Sequence, residues 1–223
     1  MKEILQNTVA GDEVIIAKIV AGEAAMYEIL IRRYNPVLYK IARSYGFNHH
    51  DAEDLMQETH VAAYQNLKQF AFRSSYKTWI SKIISHKCLY RLNHGYQRRE
   101  QPGSHIIYED AKPMLGNDKT MDPEQSSLSK EFTAVLEKAL QVIPINYRSV
   151  FVLREIEGFS VSETAEILNI TTINVKVRTN RAKAMLQKQL EAFYASTGLY
   201  EFNLIYCDDI VKKVFDRINS FHK

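Results

Sequence analysis

The residues best placed to do chemistry lie in 159–190, FSVSETAEILNITTINVKVRTNRAKAMLQKQL, and the chemistry they suit is recognition of a polyanion. From Lys176 to Lys188 the chain carries five Lys or Arg and no Asp or Glu. A solvated surface helix ordinarily mixes signs, because i,i+4 pairs of opposite charge support it. On a helix, Ile173, Lys176, Val177, Asn180 and Arg181 share one face, with Arg178 and Lys183 on its flanks. Val175, Thr179, Ala182 and Leu186 recur at i, i+4, i+7, i+11 and turn inward. Asn and Arg can be offered to base edges and Lys to phosphates, so the outward face suits the major groove of DNA. A merely basic surface helix is the competing reading.

Two short helices and a tight turn position these groups. Ser160 followed by Glu163 forms a capping box, each side chain answering an orphan N–H at a helix start. Val161, Ala165 and Leu168 follow at i, i+4, i+7 and define one face of the first helix. Asn169 can adopt the left-handed conformation that ends it, and Thr171 or Thr172 can cap the second helix. The pattern is a helix-turn-helix.

Two other charged patches need an account. Between Asp51 and Glu58 stand four acids and no base, and Asp51, Asp54 and Glu58 share a helical face with Gln57 beside them. Acids in a first turn complement the helix dipole, which accounts for Asp51 but not for Glu58, two turns in. An exposed acidic ridge suggests a protein surface as its target. His49, His50 and His60 are nearby but lack a ligand spacing that also includes Asp54, so no metal site is indicated. From Lys68 to Arg99 the balance reverses, with eight Lys or Arg and no acid. Within it, KQFAFRSSYKTW interleaves Phe70, Phe72, Tyr76 and Trp79 with Lys68, Arg73 and Lys77. Cations can track a phosphate backbone while aromatic faces stack on unpaired bases. Phe70 and Trp79 read as core, leaving Phe72, Arg73, Ser74, Ser75, Tyr76 and Lys77 free to meet nucleic acid.

The whole chain, 223 residues with 46% hydrophobic and 25% charged, has the composition of a soluble globular protein. Only 8 Gly and 5 Pro, and long stretches without either, point to mostly helix, and the fold class expected is all-α. Cys88 and Cys207 stand far apart, in no metal-ligand or disulfide-framework spacing. No signal-peptide core or membrane-length apolar run is present, so no membrane insertion and a cytoplasmic location are expected. Helices are expected at 12–20, 23–45, 48–67 and 78–93, with a kink or junction at Pro36. Leu55, Thr59, Ala62 and Ala63 are plausible core positions of the third. Pro102, Gly103, Pro113, Gly116 and Pro123 mark a flexible linker. Asp122-Pro123 can start the next helix, and helices at 128–143 and 146–157 precede the helix-turn-helix. Past it, Ile210, Val211, Val214, Phe215, Ile218 and Phe221 form an apolar stripe that needs a covering surface, its own domain or a partner.

Both halves resemble the sigma-70 family of bacterial transcription initiation factors, in particular its small two-domain extracytoplasmic-function (ECF) group. DAEDLMQETHVAAYQNL with FAFRSSYKTWISKI is similar to the family's domain 2, and residues 140–190 are similar to its domain 4. The resemblance implies domain 2 at 1–96, a linker at 97–127, domain 4 at 128–194 and a C-terminal extension at 195–223. It implies that Asp51, Asp54, Leu55, Gln57 and Glu58 meet core RNA polymerase at the clamp helices of its largest subunit, with domain 4 on the flap of the second-largest. Phe72, Arg73, Ser74, Ser75, Tyr76, Lys77 and Lys82 would open and read the –10 promoter element. Thr172, Ile173, Lys176, Val177, Arg178, Asn180 and Arg181 would read the –35 element. The family commonly has a Gly-Asp-like pair where this chain has Phe72-Arg73, and often Ser and Leu at Val177 and Thr179. An anti-sigma protein is a further implied partner.

The expectation is therefore a promoter-selecting factor, not an enzyme, with no cofactor. Opening would draw on a higher affinity for unpaired than for paired bases. The alternative is an autonomous helix-turn-helix regulator that binds an operator as a dimer. It accounts for 159–190 but leaves the acidic ridge and the aromatic-basic stretch without a role. A nucleic-acid enzyme lacks any phosphate-binding loop, metal spacing or nucleophile motif.

Overall fold

A computed structural model of the chain describes residues 10–98, 123–196, 210–214 and 217. Most of the expected linker, Asp122, Cys207 and the stripe residues Phe215, Ile218 and Phe221 lie outside the described residues. Among the described residues all regular structure is helical.

Helix α1, Asp12–Val20, opens with Asp12 and Glu13, whose charges complement the dipole, and buries Ile15, Ile16 and Ile19. A 3₁₀ turn at Ala24–Met26 leads into α2, Tyr27–Ser44, which buries Ile29, Leu30, Leu38 and Ile41 at helical spacing. Pro36 sits inside α2 rather than at a junction of two helices. Asn48 caps α3, His49–Asn66, by accepting from the Asp51 N–H at 2.8 Å. Ala52, Leu55, Thr59 and Ala63 line its buried face, whereas Ala62 is half-buried. After a 3₁₀ turn at Leu67–Gln69, the Ser75 hydroxyl accepts from the Thr78 N–H at 3.1 Å and opens α4, Tyr76–Arg98. Leu30, Leu38, Ile41, Leu55, Ile80 and Ile84 meet with 0% exposure in the core of this bundle.

Helix α5, Pro123–Val142, precedes α6, Ile145–Phe151, which runs on as a π turn, Val152–Ile156. Gly158, at φ 72°, turns the chain into α7, Val161–Leu168, and then comes α8, Thr172–Ser196. A β-carbon at Gly158 would meet nothing within 4 Å, so the glycine serves the backbone angle and not a tight contact.

The described chain forms two compact units, Met1–Leu186 and Gln187–Lys223. The first holds the expected first half and the second half as far as Leu186, and these share apolar core. Leu153, Phe159 and Ile167, at 1%, 2% and 0% exposure, are buried in one cluster with Tyr45, Ile84 and Cys88. Each such side chain withdrawn from water contributes about 1.5–3 kcal/mol. Helix α7 serves two neighbours at once. Ala165, with half-buried Val161 and Leu168, packs with Val150 and Val175, as the spacing predicts, while Ile167 faces the other core. In the second unit, Ile210, Val211 and Val214 of the expected stripe are 48–51% exposed.

Candidate nucleic-acid interface

The helix-turn-helix is built by local bonds. The Ser160 hydroxyl accepts from the Glu163 N–H at 3.1 Å, and the Glu163 carboxylate accepts from the Ser160 N–H at 2.9 Å. The Ser160 N–H and then its hydroxyl hold the Glu163 carboxyl below the usual range, and a bond from the Thr78 hydroxyl adds to this. Asn169 ends α7 at φ 52°, ψ 50°, and the Thr171 hydroxyl accepts from the Asn174 N–H at 3.2 Å. Thr171 is thus the cap of α8, and Thr172 is its first residue.

Four inward residues fix the roll of α8. Val175 and Ala182 are at 0% exposure, Thr179 and Leu186 at 8%. The Thr179 hydroxyl donates to the Val175 carbonyl at 2.8 Å, so a buried polar residue is satisfied within the helix. That roll turns Ile173, Lys176, Val177, Asn180 and Arg181 to solvent, Ile173 being 72% exposed. Arg181 donates to the Tyr147 hydroxyl at 3.3 Å, which steadies the guanidinium from α6. Lys183 pairs with Glu155 at 2.9 Å. Arg178 is half-buried on the rim of a cavity of about 320 Å³ that Tyr45, Leu89, Asn146 and Leu168 also line.

The aromatic-basic stretch is constructed differently. Phe72 is 49% exposed at φ 52°, its ring 4.7 Å from that of Phe70. Arg73 is exposed and Ser74 half-buried, while the Ser75 hydroxyl is engaged as the α4 cap. Tyr76, expected to be free for nucleic acid, is instead 2% exposed. Its ring lies 5.3 Å from Tyr34, 5.9 Å from Phe70 and 5.6 Å from Trp79, and its hydroxyl 3.3 Å from that of Tyr27. Burial pushes the Tyr76 phenol up, so it is a neutral wall of the loop and not a stacking face. Phe70 and Trp79 do support the loop from the core, as expected. Lys77 is half-buried; its ammonium donates to the Glu157 carbonyl at 2.7 Å and lies 4.4 Å from the Phe159 ring centre. Lys82 faces Glu166 at 3.5 Å.

On α3, Asp54, Gln57 and Glu58 are exposed and Asp51 half-buried. Leu55, which the resemblance placed on the polymerase-facing surface, is at 0% exposure and can only support that surface from beneath. Glu58 is held by Lys87 at 3.4 Å and Arg91 at 2.5 Å, so the ridge is tied to α4. Sequence reasoning passed over Val61 and Tyr64, 57% and 42% exposed, which prolong the ridge at i+3 and i+6 from Glu58. Apolar residues at those intervals are the signal in the sequence that marks them. His60 donates from Nε2 to the Asn35 amide oxygen at 2.9 Å, and burial lowers its pKa to about 4. His49 pairs with Glu53 at 3.2 Å. Among the described residues no three potential metal ligands cluster, and no helix is long and apolar enough to cross a membrane.

Comparison with known proteins accounts for both halves. The model of sigma-70 region 2 matches residues 30–98, and that of sigma-70 region 4 matches residues 133–186. The ECF RNA polymerase sigma factor SigM of Mycobacterium tuberculosis is 29% identical over 84% of this chain and 88% of its own. SigW of Bacillus subtilis, another ECF sigma factor, is 28% identical over 78% of this chain and 94% of its own. Among solved structures, the sigma factor RpoE in complex with the anti-sigma factor NepR from Bartonella quintana is similar, at 25% identity. Its TM-score is 0.57, over 70% of this chain and 91% of that one. The two matched regions are the two that carry the outward basic face of α8 and the ridge and loop of α3 and α4. The chain belongs to the sigma-70 family, as an ECF RNA polymerase sigma factor.

Proposed function

We propose the following division of labour for this sigma factor, which directs core RNA polymerase to promoters. The exposed ridge Asp54, Gln57 and Glu58, continued by Val61, docks on the clamp helices of the largest subunit. Residues 128–194 act as domain 4 on the flap of the second-largest, and 1–96 act as domain 2. Phe72 and Arg73, exposed on a loop walled by Tyr76, meet unpaired bases of the –10 element, with Lys77 and Lys82 on the backbone. Ile173, Lys176, Val177, Asn180 and Arg181 read the –35 element in the major groove, flanked by Thr172 and Arg178. The protein contributes binding energy and no bond-making chemistry, and it acts in the cytoplasm, where the polymerase is. An anti-sigma protein is its regulator, by analogy with the anti-sigma partner of the similar RpoE.

The observation that carries this reading is the side-by-side presence, in one chain, of an acidic ridge and two separately constructed basic surfaces. In vitro transcription from fragmented genomic DNA, with sigma-free core polymerase, tests it. Discrete start sites that depend on the protein, with shared sequences upstream, are the expected result. Sequence-specific DNA binding by the protein alone, without any new transcripts, would overturn it.

A further inference from the structure

The cavity beside Arg178 has walls of the kind that hold a small molecule. Its volume of about 320 Å³ lies at the small end of the roughly 300–1,000 Å³ range of ligand pockets. Tyr45 at the end of α2, Leu89 of α4, Ile145 of α6 and Leu168, the last residue of α7, supply apolar surface. Asn146 adds a polar group and Arg178 of α8 adds the charge. No acid is among the lining residues. Among the described residues no ion pair or hydrogen bond engages the Arg178 side chain, whereas Arg181 bonds to Tyr147 and Lys183 pairs with Glu155. A half-buried guanidinium beside apolar walls has lost part of its hydration, and an anion that takes two of its N–H groups replaces it.

Orphan hydroxyls flank the same cavity. Tyr45 is 2% exposed, and Ser85 and Thr164 are fully buried. The Tyr45 hydroxyl lies near that of Ser85 but outside hydrogen-bond geometry, and neither these two nor the Thr164 hydroxyl has a partner. Ser85 stands one helical turn from Leu89, and Thr164 one turn from Leu168, so both share a face with a cavity wall. Burial pushes the Tyr45 phenol up, with Ser85 partly offsetting it, so the group stays a neutral O–H donor. Buried polar groups nearly always have a partner, and three without one around a single cavity mark ground suited to the polar atoms of a ligand.

We infer that this cavity is a binding site for a small amphipathic anion, its carboxylate held by the Arg178 guanidinium and its apolar body between Tyr45, Leu89 and Leu168. An apolar cavity of about 150 Å³ accepts a benzene ring, so about 320 Å³ suits roughly a dozen heavy atoms, the size of a fused two-ring acid. Arginine meets a carboxylate with two parallel N–H bonds, and the apolar walls keep water from them. Promoter reading does not call for such a ligand, and the inference does not rest on that role.

Titration of the full-length chain with naphthalene-2-carboxylate, followed by the fluorescence of the probe, tests the inference. Naphthalene-2-carboxamide is the neutral probe of nearly the same shape. The carboxylate should bind saturably, at least about tenfold more tightly than the carboxamide. Arg178→Gln should weaken the carboxylate at least about tenfold and leave the carboxamide within about twofold. Lys188→Gln removes one charge from an exposed position of the same helix and should leave both within about twofold. Leu89→Trp, at a position 38% exposed, fills the mouth of the cavity and should weaken both at least about fivefold. Saturating carboxylate should also raise the Tm of wild type and not that of Arg178→Gln, because the ligand binds only the folded chain. Absence of saturable binding overturns the inference. Equal affinity for the two probes, or an Arg178→Gln variant that binds the carboxylate as wild type does, overturns it as well. A loss in Lys188→Gln as large as that in Arg178→Gln would mean general attraction to a basic helix, and it too overturns the site.

Discussion

On α8 the outward side chains Ile173, Lys176, Val177, Asn180 and Arg181 stand exposed on a rigid rod, whereas along 70–82 most polar and aromatic groups are already engaged. Tyr76 is walled in by three other rings and bonded to the Tyr27 hydroxyl, Ser75 caps a helix, and Lys77 and Lys82 are paired. The contrast follows from what each surface must bind. A duplex groove is met as it stands, so a helix with the correct roll and projecting side chains suffices. Unpaired bases need a shaped receptor, and shaping a loop consumes residues whose types resemble those that would touch the ligand. Much of an aromatic-basic signature is therefore scaffolding.

The sharpest way to break this contrast is to truncate one residue on each surface. Tyr76→Ala should destabilise the fold by about 3–5 kcal/mol, since it empties a fully buried aromatic site. Ile173→Ala, at 72% exposure, should change stability by less than about 0.5 kcal/mol. Urea denaturation followed by far-UV circular dichroism measures both. Comparable losses would mean that the two surfaces are built alike, and a small loss at Tyr76 would return it to the ligand-facing set.

Function should show the opposite order. Arg181→Ala leaves the core untouched and removes only the bond to Tyr147 from the fold. It should cost about 1–3 kcal/mol at the cognate –35 sequence and relax preference there. Selection from a promoter library with the reconstituted holoenzyme reads this directly. An unaltered –35 preference would remove Arg181 from the base-reading set and leave Asn180 and Lys176 to carry it.

What could be read in advance divides along the same line. The capping box at Ser160, the left-handed Asn169 and the inward face of α8 depend on bonds within a few residues, and these were legible. A helix start at residue 78 leaves Tyr76 in the loop, whereas the helix begins at Tyr76 itself. With the start at 76, Tyr76, Ile80, Ile84 and Cys88 recur every four residues on one buried face. Two residues of helix boundary decided between wall and ligand contact. Burial of Thr164 and Ile167, off the face defined by Val161, Ala165 and Leu168, arises from contact between segments more than 80 positions apart, as in the bond from Thr78 to Glu163. No local period encodes that. Leu55 was core by periodicity and surface by resemblance, and the periodicity was the better guide.

The smallest expected effect probes the one residue of the loop that is both exposed and conformationally unusual. Phe72 holds φ 52°, a left-handed angle at which a β-carbon crowds the following carbonyl. A bulky aromatic there is sustained by its surroundings, here the Phe70 ring at 4.7 Å. The resemblance noted a Gly-Asp-like pair at this place in the family, and the backbone angle explains why glycine suits it. Replacing Phe72 by alanine or glycine removes the ring in both cases and isolates the angle. Glycine should be the more stable of the two by about 1 kcal/mol, reversing the order that chain entropy alone would set. Both should lower open-complex formation alike, measured by permanganate reactivity of unpaired thymines, if the ring is what meets the bases. Alanine more stable than glycine would mean that the loop does not hold the left-handed angle in solution. A glycine variant that opens promoters as well as wild type would assign base contact to Arg73 instead.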